Sequence, residues 1–183
     1  LVTQAQTLGQ FAFDYVVDAQ TKEDGIRHFK TVQAAVNRAV IDAQTVTGKS
    51  RLWIAVQPGR YQELVYIPKT SVAISVVGQG SDANQTRISA NVHAALLGSV
   101  YAQRFAAQFS GLDAGILAMF EQVKSKAVVG TFGTPVLWVK SDGFQLKNIR
   151  VENTYNKESA QAGEECPNTR CGATASATAP AVV

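Results

Sequence analysis

The stretch "RLWIAVQPGRYQELVYIP", residues 51–68, sets two short β-branched and aromatic runs on either side of a turn signal. Pro58 presets one backbone angle and Gly59 accepts positive φ without steric cost, so the chain is expected to change direction there. Leu52–Val56 before it and Leu64–Ile67 after it suit pleated, buried surfaces, and the whole reads as strand, turn, strand. Comparable apolar runs recur at Val72–Val77 and Thr86–Ser89, separated by Pro68, Gly78, Gly80 and Asn84. Each is too short for a buried helix. With no helix between them, an alternating βαβ sheet is disfavoured, which leaves a sandwich, a barrel or a β-solenoid. Runs that are apolar nearly throughout, as in strands covered on both sides, favour the solenoid, as does a single amphipathic helix ahead of the series.

That helix is read from Phe29, Val32, Val36 and Val40, widened by Ala35 and Ala39, and should run from about Thr31 to Ala43. Residues 1–27 are polar and weakly periodic, an extended arm with one short strand expected at Phe11-Ala12-Phe13. Residues 91–130 interrupt the strand series with an Ala-, Leu- and Phe-rich segment. Ala94, Leu97, Tyr101, Phe105 and Phe109 keep helical spacing, Gly111 breaks it, and Ile116, Met119, Phe120 and Val123 resume it, so one or two helices are expected. Such an insertion either overhangs a binding face or packs as a decoration outside the β core. Strand character returns at Pro135–Val139, turns at Ser141-Asp142-Gly143, and continues through Phe144, Leu146, Ile149 and Val151. A polar loop from Tyr155 to Ala179 follows, and Ala181-Val182-Val183 reads as the start of another strand.

At 183 residues the chain fits one domain with a sizeable core, and 46% hydrophobic against 17% charged residues excludes a disordered polyelectrolyte. No apolar run approaches the ~20 residues needed to span a bilayer. A net charge of +3, not gathered into a basic stripe, argues against a nucleic-acid binder and only weakly favours an acidic substrate. Leu1 is not an initiator Met, and a processed start is expected. Cys166 and Cys171 lie in "CPNTRC", where Pro167 and Asn168 favour a tight turn. A local disulfide is the favoured reading in an oxidising compartment, with reduced thiols as the alternative. A metal site is disfavoured, because neither His28 nor His93 is near in sequence.

Four stretches together resemble the pectin methylesterase (pectinesterase) family. "HFKTVQAAVNRAV" (28–40) is similar to the family's Phe-Lys-Thr-Ile-Gln-x-Ala-Val helix, and "GRYQELVYI" (59–67) to its Gly-x-Tyr-x-Glu signature. "VVGQGSDANQTRI" (76–88) resembles its Gly-x-Gly loop followed by Thr-x-Ile, and "DGFQLKNIRVENT" (142–154) its Phe-x-x-x-x-Ile-x-x-x-Asn-Thr rung. Order and spacing agree apart from the 91–130 insertion, which, with Pro180, makes the chain look most like the bacterial lipoprotein-type branch. The resemblance implies an all-β, right-handed parallel β-helix with an N-terminal capping helix and a helical insertion at about 91–130. It implies one β-helix domain over 1–183, continuing past Val183, in a secreted, monomeric carbohydrate esterase. That esterase would act on pectin (methyl-esterified homogalacturonan) and need no cofactor.

In the family an aspartate attacks the methyl ester, a second aspartate is general acid and base, an arginine holds the nucleophile and glutamines stabilise the oxyanion. The stretches carrying those aspartates and the arginine do not occur in this chain and are expected beyond Val183. The first glutamine position falls on Pro180, which has no side-chain amide. Thr131, in Thr131-Phe132, falls on the family's Thr-Phe pair, where the threonine contacts the sugar; an ordinary loop threonine is the alternative. Glu63 belongs to the structural turn of the signature, and Asp142 beside Gly143 reads as a turn residue. Tyr61 and Trp138 can stack on sugar rings, but aromatics in strands more often sit in the core. Two rival readings remain: a non-catalytic polysaccharide-binding β-helix, for which Pro180 is the best argument, and another β-helix esterase or a lyase. A lyase usually needs an acidic calcium-binding cluster, and none is visible in the sequence.

Overall fold

The computed structural model describes residues 12–155. Residues 51–68 form three strands rather than two: β3 (Arg51–Val56), β4 (Gly59–Gln62) and β5 (Val65–Ile67). The expected turn at Pro58-Gly59 is therefore a corner at Gln57-Pro58, after which Gly59 opens a strand with no positive φ. A second corner at Glu63-Leu64 follows. Each of the three strands enters a different parallel sheet.

The same sequence of sheets repeats. β1 (Tyr15–Val17) and β2 (His28–Phe29) begin the first sheet, and α1 (Val32–Ala43) precedes the first full turn of β3, β4 and β5. The second turn consists of β6 (Ala73–Gly78), β7 (Thr86–Ala90) and, after the insertion, β8 (Leu137–Val139). The third begins with β9 (Gln145–Lys147) and β10 (Arg150–Asn153). The sheets have the orders β2-β1-β3-β6-β9, β10-β7-β4 and β5-β8, every pairing parallel. Register stacks like on like. Tyr15, Ile54, Val76 and Leu146 form one row, and Tyr61, Ile88 and Val151 another. Ile54, Val76 and Ile88 are fully buried, each a stabilisation of about 1.5–3 kcal/mol, while Leu146 and Val151 of the third turn are partly buried.

Several expectations hold with shifted bounds. The helix starts at Val32 because the Thr31 side chain accepts from the Ala34 N–H, an N-cap. The short strand of the N-terminal arm is β1, not 11–13, since Tyr15 and Val17 are the buried residues there; Phe11 lies outside the described residues. The run Phe144–Thr154 is two strands, divided at Asn148, which adopts positive φ (57°). Its side-chain amide donates to the Gly78 and Gly80 carbonyls at 3.1 and 2.7 Å. A Cβ on Gly78 would stand 2.0 Å from the Asn148 carbonyl oxygen, so the first glycine of the Gly-x-Gly loop is needed for one turn to pass the next.

The insertion is two helices, α2 (Gly98–Phe109) and α3 (Ala114–Lys124), with Gly111 at φ +72° between them. Ala94 and Leu97 lie ahead of α2 rather than in it. There the chain instead meets the far end of the insertion: Leu97 bridges Val128, the Val129 N–H donates to the Leu96 carbonyl, and the Gly130 N–H to the Ala94 carbonyl. A Cβ on Gly98 would collide with the Lys126 carbonyl at 1.9 Å, so its glycine permits this closure. Because the two ends meet, a segment this long leaves and re-enters the turn between β7 and β8 without prising the sheets apart.

The helical pair packs against the two-stranded sheet. Tyr66 of β5 stands 5.1 Å from the Phe109 ring and 5.4 Å from Trp138 of β8, its hydroxyl 2.5 Å from that of Tyr101. Phe109 and Phe120 stack at 4.5 Å to join α2 to α3. Trp138 thus contributes to this aromatic packing.

Candidate functional site

The Gly-x-Tyr-x-Glu signature acts as an anchor. Tyr61 is buried and donates from its hydroxyl to the Gln57 carbonyl at 2.8 Å, tying its own corner. Burial, with Asp18 nearby, pushes its pKa up to about 12, so it is no proton shuttle at neutral pH. Glu63 accepts the backbone N–H groups of Val32 and Gln33 through its two carboxyl oxygens, at 2.8 Å each. Those are among the unpaired donors that every helix N-terminus exposes. Burial pushes its pKa up to about 7, against the downward pull of the two N–H groups. Glu63 and α1 enclose each other, which leaves no room for a substrate.

The free edge of β5 is closed by side chains. Gln33 of α1 accepts from the Tyr66 N–H at 2.6 Å and donates to the Tyr66 carbonyl at 3.2 Å. Gln108 of α2 does the same for Leu64, accepting its N–H at 3.1 Å and donating to its carbonyl. Each amide supplies the donor and acceptor that a neighbouring strand would have supplied.

Thr131 is exposed at the re-entry of the insertion, in a single 3₁₀ turn, Thr131–Gly133. Its carbonyl accepts the Thr134 hydroxyl at 2.7 Å. Among the described residues none engages the Thr131 hydroxyl. Phe132 beside it is 85% exposed, an apolar ring held in solvent. The turn is fixed from below by buried Asn153, whose amide donates to the Val92 carbonyl at 2.8 Å and the Thr134 carbonyl at 3.2 Å and accepts from the Tyr155 N–H at 3.0 Å. His93 stacks on Tyr155 at 4.7 Å in the same knot. The Asn-Thr pair of the sequence motif is thus the clamp that joins both roots of the insertion to the end of β10. Its signal was in the sequence as Asn153, yet its partners, 19 and 61 residues away, were not.

At this turn Thr131 and Phe132 present an exposed hydroxyl beside an exposed apolar ring. The described acids are engaged elsewhere: Glu63 as above, Glu152 with Arg87 at 2.6 Å, Asp42 with Arg38 at 2.7 Å, and Asp113 at the start of α3. Asp142 is exposed in its turn beside Gly143 (φ +67°). Among the described residues no three His, Cys, Asp or Glu side chains gather as a metal site. Cys166, Cys171 and Pro180 lie outside the described residues, as does the strand expected at Ala181–Val183.

No protein-family model matches the chain. It is 35% identical over 127 residues to a pectinesterase of Sitophilus oryzae, covering 69% of this chain and 32% of that one. It is 30% identical over 153 residues to the putative acyl-CoA thioester hydrolase YbhC of Escherichia coli (82% and 34%), and 29% over 142 residues to pectinesterase B of Dickeya dadantii (76% and 32%). The chain spans about a third of the length of these relatives. Among solved structures, rice weevil pectin methyl esterase superposes with a TM-score of 0.67 at 34% identity, over 79% of this chain and 36% of that one. Escherichia coli YbhC gives 0.67 at 30%, over 90% and 39%. A pectin methylesterase in complex with a hexasaccharide gives 0.56 at 16%, over 94% and 39%, a likeness of fold alone. With four of the family's sequence stretches found in order and the anchor of α1 built from its Tyr61 and Glu63, this chain is a relative of the pectinesterase family.

Proposed function

We propose that the chain is the first part of a secreted carbohydrate esterase that removes methyl esters from pectin. The observation that carries the reading is the family relationship, and the rotation of the chain through three parallel sheets supports it. On this reading residues 1–183 belong to one right-handed parallel β-helix domain, monomeric, whose further turns follow Val183. An aspartate on those turns attacks the ester carbonyl carbon, methoxide leaves and takes a proton as methanol, and water then hydrolyses the acyl-aspartate to free galacturonate and carboxylate. Thr131 holds a sugar at the rim, and Phe132 flanks it. Pro180 stands where a glutamine amide would stabilise the oxyanion, so another donor serves there. Cys166 and Cys171 form a local disulfide, consistent with export.

The test is methanol release from methyl-esterified pectin by the full-length protein. Release supports the proposal. Polysaccharide binding without release favours a non-catalytic binding module. The relationship to YbhC supports a second reading, hydrolysis of a thioester, for which release of free thiol from an acyl-CoA without methanol release from pectin is the distinguishing result.

A further inference from the structure

The corner between β6 and β7 carries Asn84-Gln85-Thr86, and Asn84 alone among the chain's asparagines has a hydroxyl residue two places on. That spacing, with no proline between, is the acceptor pattern for an N-linked glycan, because the transferring enzyme reads the hydroxyl together with the amide. Thr86 belongs to the Thr-x-Ile stretch of the family resemblance; Asn84 turns it into an acceptor. The corner presents the amide to solvent. Asn84 is exposed on a single 3₁₀ turn, Ala83–Gln85, which Asp82 caps by accepting the Asn84 N–H at 2.7 Å. Gln85 is turned back, its side-chain carbonyl accepting the Ser81 N–H at 2.8 Å. Arg150 donates to the Asn84 Oδ1 at 3.2 Å, and among the described residues nothing engages Nδ2, the atom that would carry the sugar.

Thr86 is placed the opposite way. It opens β7, in register with Gly59 of β4, and is 0% exposed. An enzyme that must reach its hydroxyl finds nothing to read in the folded sheet. The sheet, however, closes late. β7 is paired on one side by β4, which precedes it, and on the other by β10, which leaves the ribosome more than sixty residues after Thr86. At about 5–20 residues per second that interval is roughly 3–13 s. The 91–130 insertion supplies most of it.

We propose that Asn84 is an N-glycan acceptor, modified on the nascent chain before β10 pairs with β7; the inference rests on the export proposed above. The donor is an oligosaccharide on a polyprenyl diphosphate. The Asn84 Nδ2 attacks C1 of its first sugar, the bond from C1 to the diphosphate oxygen breaks with its electron pair, and the amide gives up one proton to a base of the transferase. Arg150, pairing afterwards, holds Oδ1 and turns the new C–N bond outward. The insertion departs from the far end of β7, roughly 16 Å away at about 3.3 Å per residue, so a glycan here leaves the Thr131 turn clear.

The experiment directs the full-length protein through the endoplasmic reticulum of a secreting eukaryotic cell with a supplied signal sequence, which makes the result independent of the native export route. Peptide mass spectrometry before and after peptide-N-glycosidase reads residue 84 in both secreted and cell-retained protein, so a variant that fails to fold still reports. A glycan is expected at Asn84 in the wild type and in Thr86→Ser, and in neither Asn84→Gln nor Thr86→Val. A wild type bare at Asn84, or a glycan that persists in Thr86→Val, overturns the proposal. For the timing, unmodified full-length protein made in a bacterial cytosol is offered to transferase-bearing membranes charged with the lipid-linked oligosaccharide, either native or unfolded in urea and freshly diluted. Modification of the unfolded chain and not of the native one is expected, and any other pattern overturns it. Methanol release, read in parallel, separates the two claims. Release by a protein bare at Asn84 removes this site and keeps the esterase; a glycan there without methanol release does the reverse.

Discussion

Replacing Glu63 by glutamine removes one proton site and little volume from the joint between α1 and the first full turn. In the folded protein burial holds that carboxyl at a pKa of about 7, against an ordinary value of 4.5. The folded state therefore binds the proton more tightly than the unfolded chain. Its contribution is complete below pH 4.5 and is lost as pH rises through 7. The interval between the two values corresponds to roughly 3 kcal/mol. With a urea dependence of about 2 kcal/mol per molar, the wild-type midpoint should fall by about 1–2 M between pH 4.5 and 8, beyond what other groups contribute. Glu63→Gln is neutral throughout and keeps one acceptor for the two helix N–H groups, so it should resemble the protonated wild type. Its stability should lie close to wild type at pH 4.5 and above it at pH 8. Urea midpoints followed by tryptophan fluorescence at several pH values give the comparison. A variant whose midpoint tracks the wild type's pH slope refutes the reasoning, because the slope would then come from other groups.

Gly78→Ala places a Cβ 2.0 Å from a backbone oxygen of the next turn, and should cost at least about 3 kcal/mol in thermal unfolding or prevent folding, whereas Asn148→Gly, which relieves the positive φ, should be far milder. Asn153→Ala strips partners from buried backbone groups at 92 and 134, and should cost about 2–4 kcal/mol and open residues 91–134 to limited proteolysis while the sheets stay protected. Thr131→Ala in the full-length protein should raise KM on methyl-esterified pectin about threefold to tenfold with kcat little changed if Thr131 contacts the sugar as proposed; a fall in kcat alone would contradict that role.

Much of the architecture could be read before any coordinates. α1 was visible in the spacing of Val32, Val36 and Val40, and most strands in their β-branched runs. What stayed hidden was β4: Gly59, Arg60, Tyr61 and Gln62 include one buried side chain and follow a proline-glycine pair, so local chemistry spoke for a turn. Parallel pairing supplied the strand, through β7, more than twenty residues downstream. Without β4 the coil looks like a hairpin. The start of α2 was misplaced for a similar reason: Ala94 and Leu97 have helical spacing, but the chain there pairs with 128–130 instead. At the candidate site, Glu63 could be assigned to structure from the motif, yet its role as the cap of α1 depends on N–H groups 30 and 31 residues earlier. The partners of Asn153, Gln33 and Gln108 were illegible for the same physical reason, since an amide side chain carries no mark of which distant backbone group it will meet.

The two glutamines that finish β5 give the molecule a polarity. A parallel stack grows by offering an open edge, and at this end Tyr66 and Leu64 have already spent their edge groups on side chains of α1 and α2. Another copy's strand arriving there would have to displace two amides and the helices that carry them. β5 can therefore be extended on its β8 side only, and head-to-head stacking of two molecules through this sheet is barred.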